Sequence, residues 1–221
     1  MRHIILMYYK LVYNMDLVDY ISETGERYIY CDNDNLDEIE YSGYQKGFFT
    51  HVLYSDTKID WPNVEFYYNS LETTLESDYL GNASRLLIVR KNIIEELHKS
   101  HFQGFEFYPV KVIDEITEEI NRDYFVLHIT NLVDAFDMKN SKYRHNEKYD
   151  AYFFDPKGEQ FDYEKVRGHD ILREIHEPTV VFVSETFRQL VIEKDWTGFC
   201  FYRIPTSNEE REYIEEHGVY A

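Results

Sequence analysis

The stretch VVFVSETFRQLVIEKDWTGFCFYRI, residues 180–204, repeats a pattern that the chain already carries as LLIVRKNIIEELHKSHFQGFEFYPV, residues 86–110. The two copies align without a gap, because Gly198 follows Gly104 by 94 positions (198 − 104) and Val183 follows Val89 by the same offset. Valine, glycine, phenylalanine and tyrosine recur at matched positions, and most other matched positions are apolar in both copies. A gapless match of this length predicts a supersecondary unit that is used twice.

Each copy predicts a strand, a helix, a glycine and a second strand. Each copy begins with a continuous apolar run, Leu86–Val89 in the first, which is typical of a buried strand. Asn92 in the first copy and Ser184 in the second are the expected N-caps of the helices. After the glycine, Phe105 and Phe107 alternate with polar residues, as in a half-buried strand. The connection is long enough for a right-handed parallel crossover.

The C-terminal segment TSNEEREYIEEHG adds a helix to this pattern. Ser207 lies three residues before Glu210, which is the spacing of a capping box. We therefore predict an α+β fold, with a mixed sheet, two repeated strand-helix-strand units (86–110 and 180–204) and a C-terminal helix. We expect residues 1–76 to form an N-terminal region of strands and loops and residues 77–221 to form the repeat-containing domain, packed as one compact body.

The charge of the chain restricts its partners. Among 221 residues, 42 are acidic and 23 are basic, which gives a formal net charge of −19. Nucleic acids and anionic membranes should repel such a protein, whereas a basic protein should be attracted to it. Tyrosine is also abundant, with 21 residues, and it is enriched at protein interfaces.

Cysteine content and hydropathy favour a cytoplasmic protein. Only Cys31 and Cys200 are present, so no disulfide framework is expected. The N-terminal stretch MRHIILMYYKLVYN lacks the small-residue cleavage site of a signal peptide. No segment approaches the roughly 18 apolar residues of a membrane-spanning helix. We expect no association with membranes.

Three segments, two of them inside the second copy of the repeat, point to a family. They are VSETF (183–187), GFCFYRI (198–204) and NLVDAFD (131–137), the last followed by Ser141 and Tyr143. With their surroundings, over about residues 77–204, they resemble a family of bacterial immunity proteins typified by a myxobacterial member. Residues 1–76 match that family weakly. The resemblance implies a protein that binds a bacterial toxin domain and blocks it, and it brings no catalytic residues.

Few residues have a spacing that suits metal binding or catalysis. Glu95, His98 and His101 have the only metal-like spacing, but His101 is expected in a loop, so we predict no metal site. Cys200 matches Glu106 of the other copy and is expected on an outward sheet face rather than at a catalytic centre. Asp134 and Asp137 are more typical of caps and turns than of a carboxylate pair. We predict neither enzymatic activity nor a cofactor.

Two acidic clusters are the predicted contacts for a basic toxin. Both are expected to be exposed, the first in a loop and the second at the start of a helix that follows a strand, with two tyrosines beside the first as aromatic anchors. The predicted partner-binding residues are Asp32, Asp34, Asp37, Glu38, Glu40, Tyr41, Tyr44, Asp114, Glu115, Glu118 and Glu119. An alternative surface is an open sheet face bearing Glu106, Tyr108, Cys200 and Tyr202.

Two other functions remain open from the residues alone. The first is an acidic mimic of nucleic acid that inhibits a DNA- or RNA-binding protein, although its acids should be spread along one elongated surface rather than clustered. The second is an enzyme without a recognisable motif. The sequence sets neither the identity of the toxin nor the oligomeric state.

Overall fold

The structure, a computed structural model, describes residues 7–14, 30–31, 36, 52–56, 58–71, 77–82, 84–155 and 157–217. Its strands, in chain order, are β1 Tyr8–Tyr13, β2 Tyr30–Cys31, β3 Glu65–Tyr68, β4 Tyr79–Asn82, β5 Ile88–Arg90, β6 Phe105–Pro109, β7 Lys111–Asp114, β8 Ile120–Asn121, β9 Tyr124–Ile129, β10 Leu132–Val133, β11 Tyr143–Asn146, β12 Ala151–Phe154, β13 Ile171–Glu174, β14 Glu177–Ser184 and β15 Phe199–Ile204. The helices are α1 Lys91–Lys99, α2 Tyr163–Val166, α3 Glu185–Glu193 and α4 Asn208–His217. The predicted α+β class and the C-terminal helix are confirmed.

The chain divides into two compact units that interleave along the sequence. The first unit comprises residues 13–130 and 195–199, and the second comprises residues 1–12, 131–194 and 200–221. The boundary near residue 76 and the single compact body stay predictions.

The first unit contains a five-stranded sheet in the order β2-β4-β5-β9-β6. Strands β5 and β6 both run antiparallel to β9, so they are parallel to each other and β9 lies between them. Helix α1 connects them and buries Ile93, Ile94 and Leu97. A second sheet, in the order β3-β7-β8, adds Phe66 and Val112 to the core of this unit.

The second unit contains a five-stranded sheet in the order β10-β13-β14-β1-β15. Strand β1, from the start of the chain, lies between β14 and β15 and pairs antiparallel with β14. Helix α3 connects β14 to β15 and buries Phe187 and Val191. A core cluster of this unit is rich in aromatic residues, and within it Phe161 makes edge-to-face contacts with Tyr8 and Phe182.

The two copies of the repeat contain the same order of elements, a strand, a helix and a second strand. Helix α1 spans residues 91–99 and α3 spans residues 185–193, so both bounds keep the offset of 94. The glycines that follow the helices have matching positive φ angles, +85° at Gly104 and +92° at Gly198. His101 and Asp195, three residues earlier in each copy, are also left-handed, at +62° and +54°. Gly fits such positions because it has no Cβ to clash.

The similarity between the two units includes a pair of strands, β9 and β1, that lie outside the repeated sequence. Strand β9 corresponds to β1: the residue after each strand, Thr130 or Asn14, donates its N–H to the carbonyl oxygen of the repeat's glycine at 2.9 Å. The first residues of both strands, Tyr124 and Tyr8, are buried tyrosines. The Tyr124 hydroxyl donates to the Ser77 carbonyl oxygen at 2.8 Å, and the Tyr8 hydroxyl donates to that of Val166 at 2.7 Å. Each unit therefore contains one version of the same five-stranded sheet.

The helix caps differ between the copies. Ser184 caps α3 as predicted, because its hydroxyl accepts the Phe187 N–H at 3.3 Å. Helix α1 instead has Arg90 at the N-cap, without a side-chain cap, and Asn92 lies inside its first turn. The prediction of Asn92 as the cap was wrong by two residues, because Arg90 occupies the position equivalent to Ser184. The Ser207 cap of α4 is confirmed, since its hydroxyl accepts the Glu210 N–H at 3.1 Å.

Candidate partner-binding surface

The second acidic cluster lies in a tight turn between β7 and β8, rather than at the start of a helix as predicted. The Glu118 N–H donates to the Asp114 carbonyl oxygen at 2.8 Å, and the Asp114 N–H donates to that of Glu119 at 3.0 Å. Glu118 is left-handed, with φ at +59°, so the chain reverses here instead of continuing as a helix. The reversal presents the residues between the two strands to solvent.

Asp114 itself is buried, which corrects the prediction that it is exposed. Only 3% of the residue is accessible, and its carboxylate accepts hydrogen bonds from the Thr117 hydroxyl at 2.7 Å, the Ile116 N–H at 3.1 Å and the Ser70 N–H at 3.2 Å. Burial opposes the ionised form, but these hydrogen bonds outweigh it and lower the pKa of the Asp114 carboxyl to about 2. Asp114 therefore holds the turn in shape and is not free to meet a partner.

The remaining acids of this cluster are exposed and lie close in sequence to two exposed apolar side chains. Ile116, in the turn, is 48% accessible, and Ile120, the first residue of β8, is 46% accessible, while Glu115, Glu118 and Glu119 are exposed. We call residues 115–120 the acidic turn. Protein interfaces combine apolar side chains with charged side chains at their edge. The sequence predicted the acids of the acidic turn as binding residues but not its two isoleucines.

The first acidic cluster cannot be placed in the same way. Its members, Asp32, Asp34, Asp37, Glu38, Glu40, Tyr41 and Tyr44, lie outside the described residues. Their role in binding stays a prediction.

The alternative sheet face is less open than expected. In the first unit, the indole of Trp61 stacks on the ring of Tyr108, with 4.8 Å between the ring centroids, and Tyr108 in turn contacts the carboxylate of Glu106. In the second unit, Tyr202 is 40% accessible and Cys200 is half-buried. On β6 the exposed side chain is instead that of Phe107, because Tyr108, on the other face of the strand, packs against the core.

The groups considered for catalysis or metal binding have other partners. The ring of His98 packs against Phe105 and Phe107, at centroid distances of 5.4 and 5.6 Å. Asp137 accepts the Lys139 and Asn140 N–H groups at 3.1 and 3.2 Å, as a turn-capping aspartate does. His98 therefore has a packing role and Asp137 has a turn-capping role in the described structure.

Within the part of the chain that the structure describes, one set of potential metal ligands comes together, and the sequence did not predict it. Ligand atoms of Asp134, Glu174 and His176 all lie within 4.8 Å of one another. Asp134 is exposed and pairs with Lys165 at 3.1 Å, whereas Glu174 is fully buried. The set was missed because 40 positions separate Asp134 from Glu174 (174 − 134), so no local spacing reveals it.

The fold is thus an α+β architecture with two versions of one five-stranded sheet. The profile of the immunity protein family (Imm11) matches residues 16–206. This match covers most of the chain, so the protein belongs to the Imm11 immunity protein family. It also includes most of the N-terminal region that resembled the family only weakly. A comparison with curated proteins found no similar sequence. No helix in the described ranges is long and apolar enough to cross a membrane.

Proposed function

We propose that this protein binds a cognate bacterial toxin domain and neutralises it by occluding it, in the cytoplasm of the cell that makes both. The observation that carries the proposal is membership of the immunity protein family over residues 16–206. Occlusion needs affinity and coverage rather than chemistry, so a surface that binds tightly would be sufficient. We therefore propose that the protein acts without a catalytic step of its own.

The proposed contact is the acidic turn. Its two exposed isoleucines would be the apolar anchors, and its three glutamates would form the rim that attracts a basic toxin. Charge on such a rim mainly raises the association rate, because it steers the partner before contact. The net charge of −19 supports the same choice of partner. We propose that the first acidic cluster, with Tyr41 and Tyr44, adds a second contact.

The test uses the toxin encoded beside this gene and a variant in which Glu115, Glu118 and Glu119 are all replaced by glutamine. We expect association to slow by at least about tenfold at low salt, and added salt to remove most of the difference, because screening suppresses steering. Stopped-flow or biolayer measurements give both rate constants. Replacing Ile116 and Ile120 by alanine should instead mainly raise the dissociation rate.

A matched control has the same change in charge on a different element. Glu212, Glu215 and Glu216 are exposed on α4, and their triple glutamine variant should associate more nearly like the parent protein. Equal slowing in both triple variants would mean that only net charge matters and would contradict the acidic turn as the contact. Equally tight binding to unrelated basic nucleic-acid enzymes would favour the nucleic-acid mimic over a dedicated immunity protein.

A further inference from the structure

We propose that Asp134, Glu174 and His176 form a site for one divalent transition metal ion, with Zn²⁺ as the expected occupant. The three side chains come from two places in the second unit: Asp134 follows β10, and Glu174 and His176 frame the turn between β13 and β14. Their ligand atoms lie within 4.8 Å of one another, and the His176 Nδ1 lies 3.0 Å from the Glu174 Oε1. In a tetrahedral site with bonds of about 2.0–2.1 Å, ligand atoms are roughly 3.3 Å apart, so the most distant pair would have to approach by up to about 1.5 Å when the ion binds.

The backbone of β13 aims Glu174 at this position. The register between β13 and β14 shifts between Arg173 and Glu174, as in a β-bulge. Bulges redirect side chains and often occur beside functional sites. The Glu174 carboxylate then accepts the N–H groups of Ala135 and Phe136 at 3.2 and 3.4 Å and that of His176. These bonds fix the carboxylate and draw the Asp134 segment towards the turn.

The charge around Glu174 also favours a cation. Glu174 is fully buried, and among the described residues its only ion-pair partner is the ring of His176. The neighbouring lysines have other carboxylates: Lys10 contacts Glu159 at 2.9 Å and Glu177 at 3.0 Å, and Lys165 contacts Asp134. A buried carboxylate is costly unless it is paired or coordinates a metal. Glu174 already accepts three backbone N–H groups, and a metal ion would add a full positive charge beside it.

The ligand types select the ion. One imidazole nitrogen and two carboxylate oxygens suit Zn²⁺ better than the all-oxygen preference of Ca²⁺ or Mg²⁺. The metal would lie between the His176 Nδ1 and the Glu174 carboxylate, whose nearest atoms are 3.0 Å apart. Three protein ligands leave one position for water, with Asp134 at the solvent side. The bound ion would link the segment after β10 to the β13–β14 turn.

The experiment is zinc titration of the full chain after removal of metals with a chelator, followed by calorimetry and by Co²⁺ absorption spectroscopy. We expect one equivalent of Zn²⁺ to bind and to raise Tm. His176→Gln and Asp134→Asn should each weaken binding by at least about tenfold, since even outer partners of metal ligands change affinity by 10–100-fold. Both variants keep the buried Glu174, so loss of fold is not expected, and circular dichroism checks it.

The matched control is His145→Gln. His145 also has a carboxylate within reach, since its Nε2 lies 2.8 Å from the Asp150 Oδ1, but no third ligand joins that pair among the described residues. Zinc affinity should therefore be unchanged in this variant. The proposal is overturned if no stoichiometric zinc binds, if either His176→Gln or Asp134→Asn leaves the affinity unchanged, or if His145→Gln weakens it as strongly.

Discussion

Replacing Gly198 with alanine should destabilise the protein more than the same change at Gly168. Both glycines are left-handed, with φ at +92° and +87°. A Cβ at Gly198 would lie 2.3 Å from the carbonyl oxygen of Tyr79, whereas one at Gly168 would meet no heavy atom within 4 Å. The Tyr79 backbone cannot move away easily, because its N–H donates to the Thr197 carbonyl oxygen at 3.1 Å.

The difference between the two variants isolates the clash. A left-handed conformation costs an alanine about 1–2 kcal/mol, and this applies to both sites. Forcing an extra carbon into a packed site adds about 1–3 kcal/mol, which applies only to Gly198. We therefore expect Gly198→Ala to lose about 2–5 kcal/mol of unfolding free energy and Gly168→Ala to lose about 1–2 kcal/mol. Urea unfolding followed by circular dichroism measures both, and equal losses would refute the close approach of Gly198 to Tyr79.

Four other variants test features of the fold. Asp114 has a pKa of about 2 in the folded protein, below the ordinary value of about 3.9, so its contribution to stability is present above about pH 4 and is lost as the pH falls towards 2. Asp114→Asn should therefore flatten the fall in unfolding free energy between these pH values in acid titrations. Tyr124→Phe should cost about 1–3 kcal/mol by calorimetry or urea unfolding, because it removes the donor to the buried Ser77 carbonyl oxygen. Tyr8→Phe should cost less, about 0.5–1.5 kcal/mol, because the Val166 carbonyl oxygen still accepts the His169 N–H at 3.2 Å, and a larger loss than in Tyr124→Phe would contradict this. Ser184→Ala should cost about 0.5–2 kcal/mol through loss of the cap of α3, and an unchanged unfolding midpoint would contradict that role.

The sequence could predict the elements whose two copies lie a constant 94 positions apart. Strands β5 and β6 with α1, and β14 and β15 with α3, align without a gap, so a repeat of local pattern was enough to find them. The strand that lies between the two repeated strands of each sheet, β9 or β1, is not part of the repeat, because its place in the chain changes. Strand β9 follows its repeat copy, whereas β1 precedes everything else in its unit. A comparison at one fixed offset cannot align strands whose order along the chain differs.

Side-chain roles were harder to predict than strands. The acids at residues 114–119 looked uniform in sequence, yet Asp114 holds the turn from inside while Glu115, Glu118 and Glu119 face solvent. Only the hydrogen bonds of the reversed chain separate these roles, and a helix was a reasonable alternative for the same residues. The set of Asp134, Glu174 and His176 depends on tertiary contact between distant segments. No spacing rule along the chain would have brought those three residues together.

The position of β1 between β14 and β15 has a consequence for synthesis of the protein on the ribosome. Tyr9 and its side-chain partner Glu185 are separated by 176 positions, so β1 leaves the exit tunnel long before the strands that flank it exist. The sheet of the first unit can assemble once residue 129 has emerged, whereas the YYKLVY strand must wait without the strands that pair with it. Strand pairing over such a distance is slow. The nascent chain is thus vulnerable to aggregation through this apolar strand, and a chaperone that covers residues 8–13 during translation would raise the yield of folded protein.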